Sequence, residues 1–298
     1  MSVAIGLEMR ALWAEGAGED NLSNQPHIGL DCWGPTINIG RDPRWGRMYE
    51  VISEDPYWNG VYGTMFTLGL QNGSTESGYH DPDRWLAAAT LKHFAAYSLG
   101  GYQSFTFNAV VSPYMFADTY FPAFSTVIKA ANPRSVMCSY NSVNGIPACL
   151  DSWLLNTTLR QQFGFNGYIA SDSGAISAAY GHHNYTTTLQ QAVIDALNAT
   201  CNINSGHGHN YAVGHSYGTG SPYTDNVPDL LNKKLIPESW VDDSLYLAFR
   251  MQFELGLFDQ PVANQVYFNI PPTVVNNANH QALNLLATHQ SMTLLKND

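Results

Sequence analysis

Gly167-Tyr168-Ile169-Ala170-Ser171-Asp172-Ser173-Gly174 reads as a short strand that ends on a carboxylate and then on small residues. Its interior has no polar alternation, which marks a strand covered on both faces, the kind that fills parallel sheets. The same unit recurs on either side. Residues 135–140 form a strand upstream, 87–97 contain another around 89–94, and 28–39 contain a strand-like stretch ending at Gly40. Residues 108–112 and 201–203 add brief runs. Helical patterns lie between them. They cover 56–70, with Val61, Met65 and Leu68 on one side, 113–131, with Pro at the start where it is tolerated, and 151–163, with Asp151 as a natural N-cap. Others cover 189–199 and 241–255, and residues 1–16 read as an amphipathic helix with Ile5, Met9 and Leu12 near one face. Strand–helix alternation with buried strands is the pattern of a parallel α/β fold. The strand count, about six where a complete barrel needs eight, leaves two readings: a smaller doubly wound sheet or an incomplete barrel. Residues 257–279 turn to Pro, Asn and Gln and read as a linker. A helix follows from about His280 to Ser291, and Leu294-Leu295-Lys296-Asn297 looks like a strand entering a further domain.

Composition narrows the function. The 298 residues are 45% hydrophobic and 12% aromatic, so disorder is excluded as the main state. Only 12% are charged, and 24 acids against 13 bases give a net charge of −11. That argues against a nucleic-acid partner, because phosphate neutralisation needs a basic face. Few charges with many amides and aromatics suit neutral polar ligands such as sugars. No run is long and apolar enough to span a bilayer, and Glu8, Arg10 and Glu15 make the N-terminus unlike a signal peptide. Of four cysteines, Cys138 and Cys149 flank a short loop and could be bridged, while Cys32 and Cys201 lie in apolar segments and read as buried thiols. Glycosylation sequons begin at Asn21, Asn72, Asn156, Asn184 and Asn198 and lean towards a secreted protein.

Polar residues cluster just after the strands, where an α/β barrel carries its active site. Gly40-Arg41-Asp42-Pro43-Arg44-Trp45-Gly46-Arg47 holds three bases in seven positions. Arg41 and Arg44 read as members of a structural network with Asp42, Glu50, Glu54 and Asp55, whereas Arg47 is the better ligand contact. Lys92 and His93 end a strand and could offer donors to vicinal hydroxyls, or be a surface Lys beside a buried His. Tyr140 and Asn141 follow the 135–140 strand, either as ligand contacts or as a turn. Asp172 is a nucleophile, a general base, a metal ligand, or the N-cap of the next helix. The histidines at 182, 183, 207, 209 and 215 lack ligand spacing, so they read as loop histidines rather than a metal site. No phosphate-binding loop, dinucleotide fingerprint or Gly-x-Ser-x-Gly elbow is present.

At these residues the chain resembles glycoside hydrolase family 3. The segments that carry the resemblance are Gly40-Arg41-Asp42-Pro43-Arg44-Trp45-Gly46-Arg47 with Glu54-Asp55-Pro56, Lys92-His93-Phe94, the run from Met137 to Gly145, and Gly167 to Asp172. Phe107-Asn108-Ala109-Val110-Val111-Ser112-Pro113 is most similar to the β-xylosidase branch, with the β-glucosidase branch next. The resemblance implies a (β/α)8-like TIM barrel, incomplete at its N-terminus, over residues 1–258. Residues 259–298 would be the linker and the start of an absent α/β sandwich domain. It implies retaining, exo-acting hydrolysis of β-linked xylose or glucose from oligosaccharides, with no cofactor and no metal. By the same resemblance Asp172 is the nucleophile, Arg47, Lys92, His93 and Tyr140 line the terminal-sugar subsite, and Met137 lines its apolar side. Cys138 and Cys149 match a disulfide pair of the secreted branches.

The departures are also part of the expectation. The family's first barrel strands, an acidic residue for sugar hydroxyls and the general acid/base have no counterpart here, and Asn202-Ile203-Asn204 stands where an Asp-rich strand is frequent. A truncated, catalytically silent sugar-binding barrel is the alternative, because fold does not fix function. Lys92 and Arg47 are expected to favour the charged form of Asp172.

Overall fold

The computed structural model describes residues 1–17, 29–99, 104–206, 209–210, 215–216, 221–259 and 265–297. The chain divides into two compact units. One comprises Met1–Cys32, Phe66–Ala88 and Phe253–Asp298, and the other Trp33–Met65 and Ala89–Gln252. The first sequon, Asn21, and His207 lie outside the described residues.

The larger unit is organised by three strands, Ala88–Phe94, Ser135–Cys138 and Tyr168–Ser171, hydrogen-bonded side by side in that order. Both pairings are parallel. Thr36 bridges in parallel to Lys92, and Ile203 bridges in parallel to Ala170. Spatial order therefore follows chain order from Thr36 to Ile203. A doubly wound sheet reverses its strand order at a switch point, whereas a barrel winds in one direction. The two readings open from sequence thus resolve to the barrel. Every residue of the Ser135 and Tyr168 strands is buried, which is why neither alternates.

Helices cover these strands. Pro122–Ala131 buries Ala123, Phe124, Val127, Ile128 and Ala131, one stripe at helical spacing, and stops at Asn132 in the left-handed region. The sequence predicts one helix over 113–131. Instead Pro113–Met115 leads into a wide turn, Phe116–Tyr120, in which the Phe121 amide donates to the Phe116 carbonyl five residues back at 2.9 Å. Pro122 is the cause: it brings no N–H, and its ring would strike the carbonyl four residues earlier. Asp151 caps as expected, its Oδ1 accepting from the Trp153 and Leu154 amides at 2.9 and 3.1 Å.

Asn202 locks the strand ends. Its Oδ1 accepts from the Ile169 amide at 2.9 Å and from the Arg160 guanidinium at 2.7 Å, and its amide donates to Ser244 Oγ. Arg160 also donates to the Gly167 carbonyl at 2.9 Å. An aspartate is thus not needed here for structural closure.

In the smaller unit, helix Ser2–Leu12 buries Leu7 and Ala11 against Leu86, Tyr267 and Ile270. The predicted stripe of Ile5, Met9 and Leu12 is not the buried face, and Ile5 is exposed. Arg10 disguises the true face. It is buried, donates to the Leu255 carbonyl at 2.7 Å, and lies over the rings of Trp13, Tyr267 and Phe268. Part of the stretch read as a linker is ordered by the same cluster, in the turns Val266–Asn269 and Pro272–Val274. A helix spans Ala278–Ser291, and residues 292–297 pair with no strand among the described residues. Cys201 is buried as expected, whereas Cys32 is only half-buried.

Gly167 opens the strand that leads to Asp172, and a Cβ there would collide with the Arg134 carbonyl oxygen. Backbone cannot give way as a side chain can. Gly167→Ala is expected to destabilise the protein by about 1–3 kcal/mol or more, read as a lower urea midpoint at unchanged slope. An unchanged midpoint would show that the Arg134 backbone is free to move.

Candidate active site

Asp172 stands immediately after the Tyr168–Ser171 strand, and the backbone fixes it there. Its amide donates to the Cys138 carbonyl of the neighbouring strand at 3.1 Å. Of its carboxylate oxygens, Oδ1 accepts from the Ser173 amide at 2.8 Å, whereas Oδ2 is buried without a hydrogen-bond partner among the described residues. The cap of helix Ala175–Gly181 is Gly174 in the left-handed conformation. Asp172 therefore does not spend its side chain on the helix, and the N-cap reading falls away.

Lys92 and His93 come from the next strand but one. Consecutive residues of a regular strand point to opposite faces. Here Leu91 is opposite Val136, yet Phe94 is opposite Cys138, so the Ala88 strand carries one extra residue at Lys92-His93. This bulge breaks the alternation and brings both side chains to the same cluster. His93 is 1% exposed, with Nε2 3.6 Å from Asp172 Oδ2. Lys92 is mostly buried rather than a surface lysine, with Nζ 3.9 Å from Glu50.

Arg47 forks onto Glu50, with Nη2 2.8 Å from Oε2 and Nε bonded to Oε1. Glu50 also accepts from Thr36 Oγ1 at 3.3 Å. Of the expected network only the Arg44–Asp42 pair forms among the described residues: exposed Arg41 reaches the Tyr120 hydroxyl instead, and Glu50 serves Arg47 and Lys92. The Arg47 guanidinium lies over the Tyr97 ring at 5.7 Å, and Tyr97 contacts the rings of His93, Trp45 and Tyr140 edge-on.

Tyr140 sits on a turn stapled at its base by the Cys138–Cys149 disulfide. His183 holds the same turn, with Nε2 2.9 Å from the Tyr140 carbonyl and Nδ1 3.0 Å from Ser142 Oγ. The turn reading and a site position thus hold together for Tyr140. Asn141 is different: it is buried and donates to the Ala95 and Ser142 carbonyls. Met137 is buried in its strand, in register with Ala170.

Arg47 and Lys92 favour the charged form of Asp172, as expected, but burial outweighs them. Burial pushes the Asp172 carboxyl up to about 6; the Ser173 amide, the Tyr140 hydroxyl and the charges of Arg47 and Lys92 pull it down without cancelling that effect. Both cations are partly neutralised by Glu50. The Arg47 hydrogen bond holds Glu50 below its usual value. Burial alone would lower Arg47, but the Glu50 bond and charge raise it on balance. Burial, with Arg47 and Lys92 nearby, keeps His93 well below its usual value and therefore neutral. Burial beside Asp172 raises Tyr140, which stays a protonated donor.

Glu50 and Asn38, which complete this cluster, carried weak sequence signals. Glu50 was visible only as a network partner. Asn38 is a polar residue inside the apolar run Ile37-Asn38-Ile39, and a buried amide in such a run signals a hydrogen-bonding task. The Cys138, Cys149 and Cys201 sulfurs cluster closely enough to suit a metal, but two of them are spent in the disulfide.

A one-way parallel barrel with a buried carboxylate at a strand end defines a broad class of α/β enzymes. Comparison narrows it: residues 2–247 match the glycosyl hydrolase family 3 N-terminal domain, and the chain belongs to that family, whose N-terminal domain is a TIM-barrel-like α/β fold. It is 37% identical over 297 residues to a protein of Arabidopsis thaliana named "Probable beta-D-xylosidase 7", covering 99% of this chain and 36% of that one. It is 35% identical over 304 residues to a "Probable exo-1,4-beta-xylosidase" of Aspergillus terreus, covering 100% and 36%. A solved family 3 exo-β-xylosidase, in complex with a xylobiose aziridine activity-based probe, superposes with a TM-score of 0.84 at 27% identity, covering 100% of this chain and 35% of that one. The chain thus spans about a third of the length of these relatives.

The raised Asp172 value makes a stability prediction. A carboxyl whose folded pKa lies above its unfolded value of 3.8 contributes nothing adverse below about pH 4 and costs stability as pH rises through about 6. Asp172→Asn should match the wild type near pH 4 and exceed it at pH 8 by up to ~3 kcal/mol, measured by chemical denaturation at both pH values. Equal stabilities at pH 8 would show that Asp172 is not held against its charge.

Proposed function

We propose that this chain carries the nucleophile-bearing face of a retaining, exo-acting β-xylosidase whose substrate is an oligosaccharide or other β-glycoside. The observation that carries this reading is Asp172 Oδ2: a buried carboxylate oxygen with no hydrogen bond within 3.5 Å among the described residues, with Arg47, Lys92, His93 and Tyr140 around the carboxyl. A carboxylate oxygen so placed is suited to attack an anomeric carbon. Its pKa of about 6 leaves it ionised at neutral pH, as a nucleophile requires. Arg47, Lys92 and Tyr140 donate to the sugar hydroxyls, the Asp172 carboxylate offsets the positive charge that develops on the ring in the transition state, and Met137 borders the apolar side.

A retaining glycosidase also needs a proton donor, with its carboxyl about 5–5.5 Å from the nucleophile. Glu50 does not suit that task, because Arg47 holds it ionised. We assign the donor to a residue outside this cluster, and residues 1–258 and 259–298 to the barrel domain and the lead into a second one. Xylose is preferred over glucose because the relatives named above are β-xylosidases. A secreted protein fits the Cys138–Cys149 disulfide and the exposed sequon residues Asn184 and Asn198.

The test is covalent trapping with 2,4-dinitrophenyl 2-deoxy-2-fluoro-β-xyloside, whose leaving group departs unprotonated. Peptide mapping should find the fluoroxylosyl mass on Asp172, and Asp172→Asn should abolish labelling. Label on another carboxylate, or undiminished labelling of the variant, overturns the assignment. Faster labelling by the corresponding glucoside would move the substrate from xylose to glucose.

A further inference from the structure

We propose that Asn38 is a positioning residue that locks His93 in its Nδ1–H tautomer, so that Nε2 faces Asp172 as an acceptor and leaves Oδ2 bare. The inference rests on the reading of Asp172 as the nucleophile.

The orientation of the Asn38 amide follows from the backbone it touches. The His93 N–H can only donate, so the Asn38 atom 2.7 Å from it is Oδ1. The His93 carbonyl can only accept, so the atom 2.8 Å from it is Nδ2. Two backbone groups of one residue therefore fix the amide, with no choice of flip. That same Oδ1 lies 3.0 Å from His93 Nδ1. An amide oxygen carries no proton, so Nδ1 must supply it, and the neutral ring then has a lone pair at Nε2.

Nε2 is the atom 3.6 Å from Asp172 Oδ2. In the opposite tautomer an Nε2–H would point at that oxygen, and a small approach would form a hydrogen bond that mutes the nucleophile. With Nε2 unprotonated, the two atoms face each other as acceptors, in keeping with an Oδ2 that has no hydrogen bond within 3.5 Å among the described residues. Protonating the ring instead is opposed by its burial and by the cations Arg47 and Lys92; among the described residues the anion facing it is Asp172, and the Tyr97 ring packs against it. Asn38 itself is buried on the Ile37–Ile39 segment, out of reach of solvent exchange. Its action on Asp172 is exerted through the imidazole.

The experiment is nitrogen NMR of the protein labelled with 15N-histidine at neutral pH, with His93 assigned by the loss of its signals in His93→Gln. The expected result is a protonated, pyrrole-type Nδ1 and an unprotonated, pyridine-type Nε2. An Nε2–H tautomer or an imidazolium in the wild type overturns the proposal without any variant. Asn38→Leu should lose the Nδ1–H preference, and Asn38→Asp, which restores an acceptor, should regain it. An unchanged tautomer in Asn38→Leu also overturns it. Because the tautomer is read without turnover, this outcome is separate from the trapping of Asp172.

Discussion

The parallel register between the Ser135 and Tyr168 strands is the constraint on which the site depends. It pairs Cys138 with Ser171 and delivers the Cys138 carbonyl to the Asp172 amide, so the carboxylate begins from a fixed backbone position. Cys138 is also one end of the disulfide that closes the Tyr140 turn. One strand end thus sets both the carboxylate and the phenol that faces it. A shift of one residue would turn every side chain of the strand to the other face. Gly167 at the start of the strand, with the Arg134 carbonyl against it, and Asn202 on the Ile169 amide hold that register from the opposite end.

Charge is arranged around this frame with unequal partners. Glu50 takes the full fork of Arg47 and pairs with Lys92, and the charges of these two cations are the smallest of the effects acting on Asp172. Burial then dominates its titration. A carboxylate tied bidentately to an arginine is a poor nucleophile, because the lone pairs it would use are occupied. Glu50 accepts that role, and Asp172 remains reactive.

Much of this was legible in the sequence, and the reasons are specific. The Gly167–Ser173 run could be read because an uninterrupted buried strand ending on a carboxylate has few alternatives, and Arg47, Lys92, His93 and Tyr140 do gather around it. The barrel's winding direction was not legible, because strand order is a tertiary property and the residues alone fit two topologies. The bulge at Lys92-His93 was hidden for the same reason: it exists only as a register difference against the Ser135 strand. Helix 113–131 broke where Pro122 falls, a local signal that the hydrophobic pattern overrode. The face of the first helix was misread because a buried arginine breaks the apolar stripe, and two of the three rings it lies over, Tyr267 and Phe268, come from the far end of the chain. The pull of Arg47 and Lys92 on Asp172 was legible, whereas the larger effect of burial was not, because sequence shows nearby cations but not desolvation.

The central claim is that burial, and not its cationic neighbours, sets the state of Asp172. A carboxyl 13C NMR titration of the protein labelled at aspartate, with Asp172 assigned by its loss in Asp172→Asn, tests this most directly. The account predicts an inflection near pH 6. An inflection at or below 3.8, the ordinary value for an aspartate, would mean that Arg47 and Lys92 govern the carboxylate after all, and would contradict it.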